Sequence, residues 1–264
     1  MIRMEGPCGI IPGRRCTVDM LHRELGDPRV GRALIAPGSW FQTLPAALQA
    51  ELACRARPLF LQAGERLCAR GDPPDGLYGL SDGILRVGST GDGGEALLAM
   101  VQPPHWFGEL GLFDGSPRTH DVHAETDVVL LHLPQTVMLA VLEREPEGWR
   151  HLGRMLAGKM RSVFVSFEQM QMLPPRARVA RRLVMMAADH QVDRPTLRRE
   201  LLLSQEQLAR MLSLSRQTVN EVLAGLEADG LIRRRRRVIE LLDPDRLHKD
   251  GAEPGDAPDE TDVD

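Results

Sequence analysis

The chain lacks several features that would place it in common classes of protein. No apolar run approaches about 18 residues, so no membrane-spanning helix is expected. The first twenty residues carry charges and no clean apolar stretch before a small-residue cleavage site, which argues against a secretory signal. The four cysteines show no close pairing and no CxxC or Cys/His spacing typical of zinc; they are Cys8, Cys16, Cys54 and Cys68. These absences predict a cytoplasmic protein without a membrane partner or bound metal.

The common catalytic motifs are also missing. The sequence contains no Walker A motif, no nucleophile elbow and no HExxH motif. The regions described below leave no further domain over for catalysis. We therefore expect that the protein is not an enzyme.

The near-neutral total charge of −4 conceals an uneven distribution. Residues 174–249 hold 16 Lys and Arg against 10 Asp and Glu, a net charge of +6. Residues 1–173 carry −3, and residues 250–264 hold seven acidic side chains and no basic one. This distribution predicts that only the basic block meets nucleic acid. The Pro- and Gly-bearing acidic tail, 250–264, and the Pro- and Gly-bearing leader, 1–38, are expected to be largely disordered.

Residues 204–229 predict two helices joined by a tight turn. Ser204 and Gln207 form a capping box at the start of the first helix, and Ser215 can cap the second. Polar side chains at the start of the second helix face outward, as a recognition helix requires: Arg216, Gln217, Thr218 and Asn220. Arg suits the O6 and N7 atoms of guanine, and Asn or Gln suits the N6 and N7 atoms of adenine. On its own the segment equally fits an ordinary helical hairpin.

A basic hairpin follows the helix pair. Leu231–Ile232 and Val238–Leu242 look like two strands, and five consecutive arginines separate them: Arg233, Arg234, Arg235, Arg236 and Arg237. A two-stranded wing with arginines at its tip suits the phosphate backbone of DNA. The alternatives are a solvated loop or a module in which the helix pair contacts protein. The apolar, strand-like segments on either side of the arginines favour the wing.

The first half of the chain has the pattern of an antiparallel β domain. From Leu59 to Leu133, short apolar runs alternate with turn signals such as Gly71-Asp72-Pro73 and Ser81-Asp82-Gly83. Strands of about five residues at this spacing predict a β-sandwich or roll. A short helical entry over Trp40–Arg57 is expected before it, and a helix from Pro134 to about Arg144 after it.

A longer helix is predicted between Pro146 and Leu173. Its apolar residues recur at alternating spacings of four and three: Trp149, Gly153, Leu156, Met160, Val163, Phe167 and Met170. This heptad seam favours a parallel homodimer. Packing of the same face on the preceding β domain is the alternative.

Residues 107–119, FGELGLFDGSPRT, form a candidate anion site. Gly108 lets the backbone approach a ligand, and a helical turn over residues 109–112, which includes Leu110, can direct free N–H groups at an anion. Glu109 can accept a hydrogen bond from a ribose hydroxyl, Arg118 can clamp a phosphate, and Thr119 adds a hydroxyl. The alternative is a turn that carries a surface Glu–Arg pair.

Together these motifs resemble the Crp/Fnr family of bacterial transcription regulators. The resemblance covers about Trp40–Lys249 and depends on residues 107–119 and on LSRQTVNEVLAGLEADGLI, residues 214–232. It implies an α+β fold: an antiparallel, jelly-roll-like β-roll (39–145), a dimerisation helix (146–173) and a winged helix-turn-helix domain (174–249). It also implies a homodimer that reads a near-palindromic promoter, contacts RNA polymerase and responds to a cyclic nucleotide such as cAMP.

The sequence departs from the family pattern at three places. Ser213 stands where the turn between the helices usually has Gly. Gln217 and Glu221 replace residues with which the cAMP receptor protein reads its half-site, so Arg216 alone is expected to keep its guanine contact. Counting back from the DNA-binding domain, Val163 and Phe164 replace a Thr-Ser pair that touches adenine in that receptor. Ser162 and Ser166 lie close enough to take over if the register differs.

The effector is therefore open at the sequence level. Cyclic di-GMP, no nucleotide, or redox control are alternatives to cAMP, although an iron–sulfur cluster needs four suitable cysteines and the leader has only two. Haem is a further alternative, and its candidate ligands are His105, His120, His123 and His132. A nucleotide domain that gates an enzyme or a protein-interaction module is the hypothesis from a different class.

Overall fold

The structure, a computed structural model, describes residues 40–91, 94–187 and 199–250. The leader predicted over 1–38 and the tail beyond Asp250 lie outside the described residues. Two compact units are present. The first comprises the described residues up to Val87 and those from Val101 to Leu156. The second comprises Gly88–Met100 and the described residues from Ala157 onward.

The N-terminal half is predominantly antiparallel sheet, as predicted. A 3-10 helix at Trp40–Thr43 precedes the elements of this half, which in chain order are α1 (Ala46–Arg55), β1 (Arg57–Leu61), β2 (Arg66–Cys68), β3 (Gly76–Asp82), β4 (Leu85–Gly91), β5 (Gly94–Val101), β6 (His105–Phe107), α2 (Leu110–Asp114), β7 (Asp121–Ala124), β8 (Val128–Pro134), α3 (Gln135–Arg144) and α4 (Glu147–Met172).

Two four-stranded sheets, ordered β1-β8-β3-β6 and β2-β7-β4-β5, form the β-roll. At the centre of packing on the first sheet is Trp106 of β6, which is fully buried against Trp40 and Phe41 of the 3-10 helix. Gly79 faces Trp106 from β3, and a Cβ atom there would come within 2.8 Å of the indole. The large aromatic ring thus occupies space that only a glycine leaves free.

The long helix α4 changes character along its length. Near its start, Leu152 and Met155 are buried in the core of the first unit. Trp149 packs against that core and contacts Phe113, with ring centroids 5.2 Å apart. Farther along, Met160 and its apolar successors are exposed. The first part of the predicted seam therefore packs on its own domain, and the second part is uncovered in the monomer.

The second unit contains the predicted helix pair and wing. Its elements after α4 are α5 (Pro175–Ala187), β9 (Glu200–Leu202), α6 (Gln205–Leu212), α7 (Arg216–Ala228), β10 (Ile232–Arg235), β11 (Val238–Leu241) and α8 (Pro244–Asp250). The wing is a three-stranded sheet in the order β10-β11-β9. The sequence pattern predicted β10 and β11, but not β9 or α8. Leu201 on β9 is buried opposite Ile239 on β11 and completes the apolar side of the sheet.

Cys54 differs from the expectation drawn from the sequence. Cys68 is a free thiol, but Cys54 is disulfide-bonded, so the expectation that the cysteines do not pair is wrong for Cys54. No helix within the described ranges is long and apolar enough to cross a membrane. Among the same residues, no group of three or more His, Cys, Asp or Glu side chains is placed to hold a metal ion.

Candidate effector pocket and nucleic-acid interface

The first candidate site is formed where β3 lies between β6 and β8. The register places Tyr78 opposite Phe107 on one side and His132 on the other. Because cross-strand neighbours project to the same face, the three rings stack. The Tyr78 ring centroid lies 5.5 Å from that of Phe107 and 4.5 Å from that of His132. The stack gives the site a rigid aromatic wall.

Gly108 makes the turn that follows β6. Its φ of 101° lies in the left-handed region that favours glycine. A Cβ atom here would also lie 2.5 Å from the carbonyl oxygen of Gly76 and 2.8 Å from Nη1 of Arg118. Both the backbone conformation and the close approach of Arg118 therefore require glycine at this position.

The remaining residues of the predicted anion site differ in exposure. Glu109 is 4% exposed and directly precedes α2, which agrees with the predicted helical turn. Leu110 is exposed at the start of α2. Thr119 is exposed, and its Oγ1 lies 2.9 Å from Nδ1 of His120. The structure thus brings Gly108 and Arg118 into direct proximity, while Leu110 and Thr119 face solvent at the edge of the site.

Arg118 is anchored by both its backbone and its side chain. Its N–H donates to Asp72 and its carbonyl accepts from Gly71, each over 2.8 Å. The side chain is only 11% exposed, and Nη2 donates to the carbonyl of Gly76 at 2.9 Å. The guanidinium carbon lies 5.5 Å from the centroid of the Tyr78 ring. Nε is buried and has no hydrogen-bond partner among the described residues.

Asp75 supplies the charge partner of Arg118, and the sequence reasoning missed it. Nη2 of Arg118 and the hydroxyl of Tyr78 both donate short hydrogen bonds to its carboxylate. Burial pushes the pKa of Asp75 upward, but the bonds from Tyr78 and Arg118 outweigh it and hold that pKa below its ordinary value. Burial and the bond to Asp75 raise the pKa of Tyr78, so the phenol stays protonated and keeps donating. No local sequence pattern predicts the pairing of Asp75 with Arg118, because Arg118 lies 43 residues farther along the chain.

The candidate adenine-contacting residues lie on the second half of α4. Val163 and Phe164, at the positions of the family's Thr-Ser pair, are exposed apolar side chains without hydrogen-bonding groups. The hydroxyl of Ser162 donates to the carbonyl of Gly158 at 3.2 Å, and that of Ser166 donates to the carbonyl of Ser162 at 2.8 Å. Both hydroxyls are therefore bonded within their own helix.

The histidines considered as haem ligands are dispersed over the β strands and the loop before β7. His105 stacks on Phe107, with ring centroids 6.4 Å apart, and His132 stacks on Tyr78. Burial lowers the pKa of His132 and of His123. The aromatic contacts give His105 and His132 a packing role.

The helix pair of the second unit is capped as the sequence predicts. The hydroxyl of Ser204 accepts from the N–H of Gln207 at 3.1 Å, and the Gln207 amide accepts from the N–H of Ser204 at 2.9 Å, which completes the capping box. Ser215 accepts from the N–H of Thr218 at 3.0 Å. Ser213 adopts the left-handed conformation, φ 52° and ψ 42°, at the position where the family usually has glycine. The turn therefore keeps the glycine-type geometry with a side chain present.

The predicted base-reading residues line the exposed face at the start of α7. The Arg216 side chain is 75% exposed and lies 3.9 Å from the Glu206 carboxylate. Gln217 donates to Glu221 at 2.9 Å. The Thr218 hydroxyl lies 2.8 Å from that of Ser215, and Asn220 accepts from Nη1 of Arg234 at 3.1 Å. Arg216 is the least engaged of these side chains and the most available to a partner.

Three of the five wing arginines form ion pairs with carboxylates of α7 and the wing. Arg234 is half-buried and donates to Glu227 from its backbone N–H at 2.6 Å and from Nε at 2.7 Å. These bonds hold the pKa of Glu227 below its ordinary value. Arg233 and Arg235 both donate to Glu240, at 3.2 and 3.1 Å.

Arg236 and Arg237 form the two-residue turn of the wing. They are exposed, and within the described part of the chain they make no ion pair. A concave surface of about 430 Å³ opens between this turn, Arg216 and the start of α6. The arginine side chains that line this surface lie on one side of the second unit, an arrangement that suits contact with the phosphates of DNA.

Comparison with known proteins assigns both parts of the chain to known domain families. The model for the cyclic nucleotide-binding domain matches residues 58–145, and that for the Crp-like helix-turn-helix domain matches residues 177–249. The chain is 29% identical over 216 residues to the CRP-like cAMP-activated global transcriptional regulator of Mycobacterium tuberculosis, covering 81% of this chain and 96% of that protein. It is 30% identical over 190 residues to the Cyclic AMP receptor protein of Thermus thermophilus, covering 72% and 85%.

The fold agrees as well. A solved structure of a CRP-family transcriptional regulator from Thermus thermophilus matches with a TM-score of 0.56 at 28% identity, over 73% of this chain and 96% of that one. With a β-roll that carries the nucleotide-type turn, a long helix and a winged helix-turn-helix in the family's order, the chain belongs to the Crp/Fnr family of DNA-binding transcription regulators.

Proposed function

We propose that the protein is a homodimer that binds a near-palindromic promoter site under the control of a cyclic nucleotide-type effector. The observation that carries this proposal is that one chain holds a largely buried arginine suited to phosphate, Arg118, in its first unit and an exposed arginine suited to base recognition, Arg216, in its second. We assign the effector domain to residues 39–145, the dimerisation helix to 146–173 and the DNA-binding domain to 174–249.

The exposed side chains at the start of α7 and on the wing support the DNA contacts that we propose. We assign to Arg216, which is 75% exposed, two hydrogen bonds to a guanine, and to Gln217 and Asn220 contacts with adenine or with neighbouring side chains. Arg236 and Arg237 suit phosphate contacts because no carboxylate of the described chain pairs with them. The backbone N–H groups near the caps Ser204 and Ser215 give further phosphate contacts.

The effector contacts are assigned to the turn after β6. Arg118 holds the phosphate, Gly108 permits its close approach, and Glu109 accepts from a ribose hydroxyl. Leu110 and Thr119 complete the edge of the pocket. Two relatives are named for cAMP, which makes cAMP the first effector to test. Cyclic di-GMP is the second effector to test, because the side chains of Val163 and Phe164 offer an adenine base no hydrogen bond.

The cellular assignments follow from DNA as the partner. We assign the protein to the cytoplasm, where a bacterial chromosome lies, and RNA polymerase to its partners, as the family resemblance implies. Both assignments belong to this proposal.

One experiment tests the effector and the DNA parts together. Binding of the full chain to a library of promoter fragments is measured across a salt series, with and without cAMP, cGMP and cyclic di-GMP. We expect specific binding that weakens steeply with salt and strengthens with one of the effectors.

The matched control is Arg118→Ala, which removes the phosphate clamp while leaving the DNA-binding unit unchanged. This variant should bind DNA without any response to the effector. DNA binding that is absent or insensitive to salt in every condition contradicts the proposal.

A further inference from the structure

The effector pocket contains its own anion. The Asp75 carboxylate takes a short hydrogen bond from Nη2 of Arg118, the atom that also bonds the carbonyl of Gly76. Tyr78 holds the other carboxylate oxygen through its hydroxyl. The ring of Tyr78 is itself fixed by stacking on His132, 4.5 Å between centroids. The carboxylate is therefore held at the guanidinium by a rigid neighbour.

The bonds to Asp75 and Gly76 occupy only one of the three guanidinium nitrogens of Arg118. Both acceptors described for Arg118 share Nη2, while the buried Nε has no hydrogen-bond partner among the described residues. Nη1 lies against the Gly108 turn. A phosphate that binds Arg118 therefore arrives beside an existing negative charge.

The negative charge of Asp75 beside Arg118 affects how tightly the pocket can bind an anion. Asp75 forms an ion pair with Arg118 and so neutralises its charge. A phosphodiester with one negative charge therefore meets no net positive charge at the site. The Arg118 side chain is 11% exposed and the Asp75 side chain is 53% exposed, so water screens part, but not all, of the repulsion between Asp75 and the phosphate.

We infer that Asp75 is a specificity-determining residue: a built-in counter-ion that an anionic effector must displace or tolerate, which weakens the affinity of this pocket for singly charged cyclic nucleotides. The inference rests on the proposed function, since it concerns the same pocket. Tyr78 acts as a positioning residue that keeps the carboxylate on Arg118.

The test is the sign of one change in affinity. Asp75→Asn removes the charge but keeps an oxygen that can accept from Arg118. We expect this variant to bind cAMP and cGMP about tenfold more tightly than the wild type in calorimetric titration of the full chain, which corresponds to about 1.4 kcal/mol at 25 °C. Asp75→Glu, which keeps the charge, should stay close to the wild type.

Asp127→Asn is the matched control. It removes one negative charge from the same unit at a carboxylate that accepts from the N–H of Ala63, 3.0 Å away. This control should leave the dissociation constants for cAMP and cGMP unchanged. A thermal denaturation curve of each variant establishes that the fold is retained.

The outcomes separate the inference from the proposal beneath it. If both proteins bind and Asp75→Asn binds equally or more weakly, Asp75 serves to orient Arg118, and the counter-ion role is overturned while the nucleotide site stands. If neither protein binds cAMP or cGMP, the nucleotide site itself is overturned, and the counter-ion role falls with it. Tighter binding by Asp75→Asn alone supports the inference.

Discussion

Substituting Phe167 tests the dimer assignment most directly. Phe167 lies on the uncovered half of α4 and is 63% exposed in the monomer. Burying a whole Phe side chain contributes about 1.5–3 kcal/mol, so covering the exposed part is worth about 1–2 kcal/mol per protomer. A symmetric dimer loses two such contributions in Phe167→Ala, a total of about 2–4 kcal/mol. We therefore expect the dimer dissociation constant to rise about 30- to 700-fold.

Sedimentation equilibrium over a range of protein concentrations measures this dissociation constant. The chain offers a matched control in Phe60 on β1, which is 55% exposed but lies far from α4 in sequence and on an edge strand. Phe60→Ala should dissociate like the wild type. An unchanged constant for Phe167→Ala would refute the reasoning, because it would mean that this face stays uncovered in the assembly.

Three further substitutions test the DNA-binding unit. Arg216→Ala should abolish discrimination at one base pair of each half-site, at a cost of about 1–3 kcal/mol, as measured by competition with single-base operator variants. Ser204→Ala removes the capping box of α6 and should destabilise the fold by about 1 kcal/mol in urea denaturation. Arg236→Ala should weaken binding to all sequences alike and flatten the salt dependence by about 0.9 for each phosphate that is no longer neutralised.

The features that the sequence predicted correctly are governed by near neighbours. The capping box of Ser204 and Gln207 joins residues three apart, and the wing hairpin closes across two residues. Pro134 is the N-cap residue directly before α3, within one residue of the predicted helix start. Local spacing contains all the information that such elements need.

The features that the sequence did not reveal depend on distant partners. β9 is three residues long, and its place in the wing is set by pairing with β11, nearly forty residues farther along. Asp75 resembles any acidic turn residue until the fold brings Arg118 beside it. Glu109 and Arg118 could be selected from their motif, but the neutralisation of Arg118 could not, because it arises only in three dimensions.

The five-arginine run illustrates how the fold divides a uniform sequence into different roles. All five side chains were predicted to contact phosphates, which the run alone supports. Alternation along β10 turns Arg234 inward, where it meets Glu227 on α7. Arg233 and Arg235 point outward but share Glu240. Only the turn residues Arg236 and Arg237 combine exposure with the lack of an ion pair in the described structure.

The different positions of Arg234 and Arg236 separate two effects on DNA binding: positioning of the wing and neutralisation of a phosphate. Arg236→Ala removes the neutralisation of one phosphate by each protomer, so the slope of log K against log salt should fall by about 1.8 for the dimer. Arg234→Ala instead releases Glu227 and Asn220, which disturbs the position of the wing relative to α7. It should lower affinity with little change in slope, because Arg234 itself neutralises no phosphate. Equal reductions of slope in the two variants would show that Arg234 contacts phosphate, and that the bond to Glu227 opens when DNA binds.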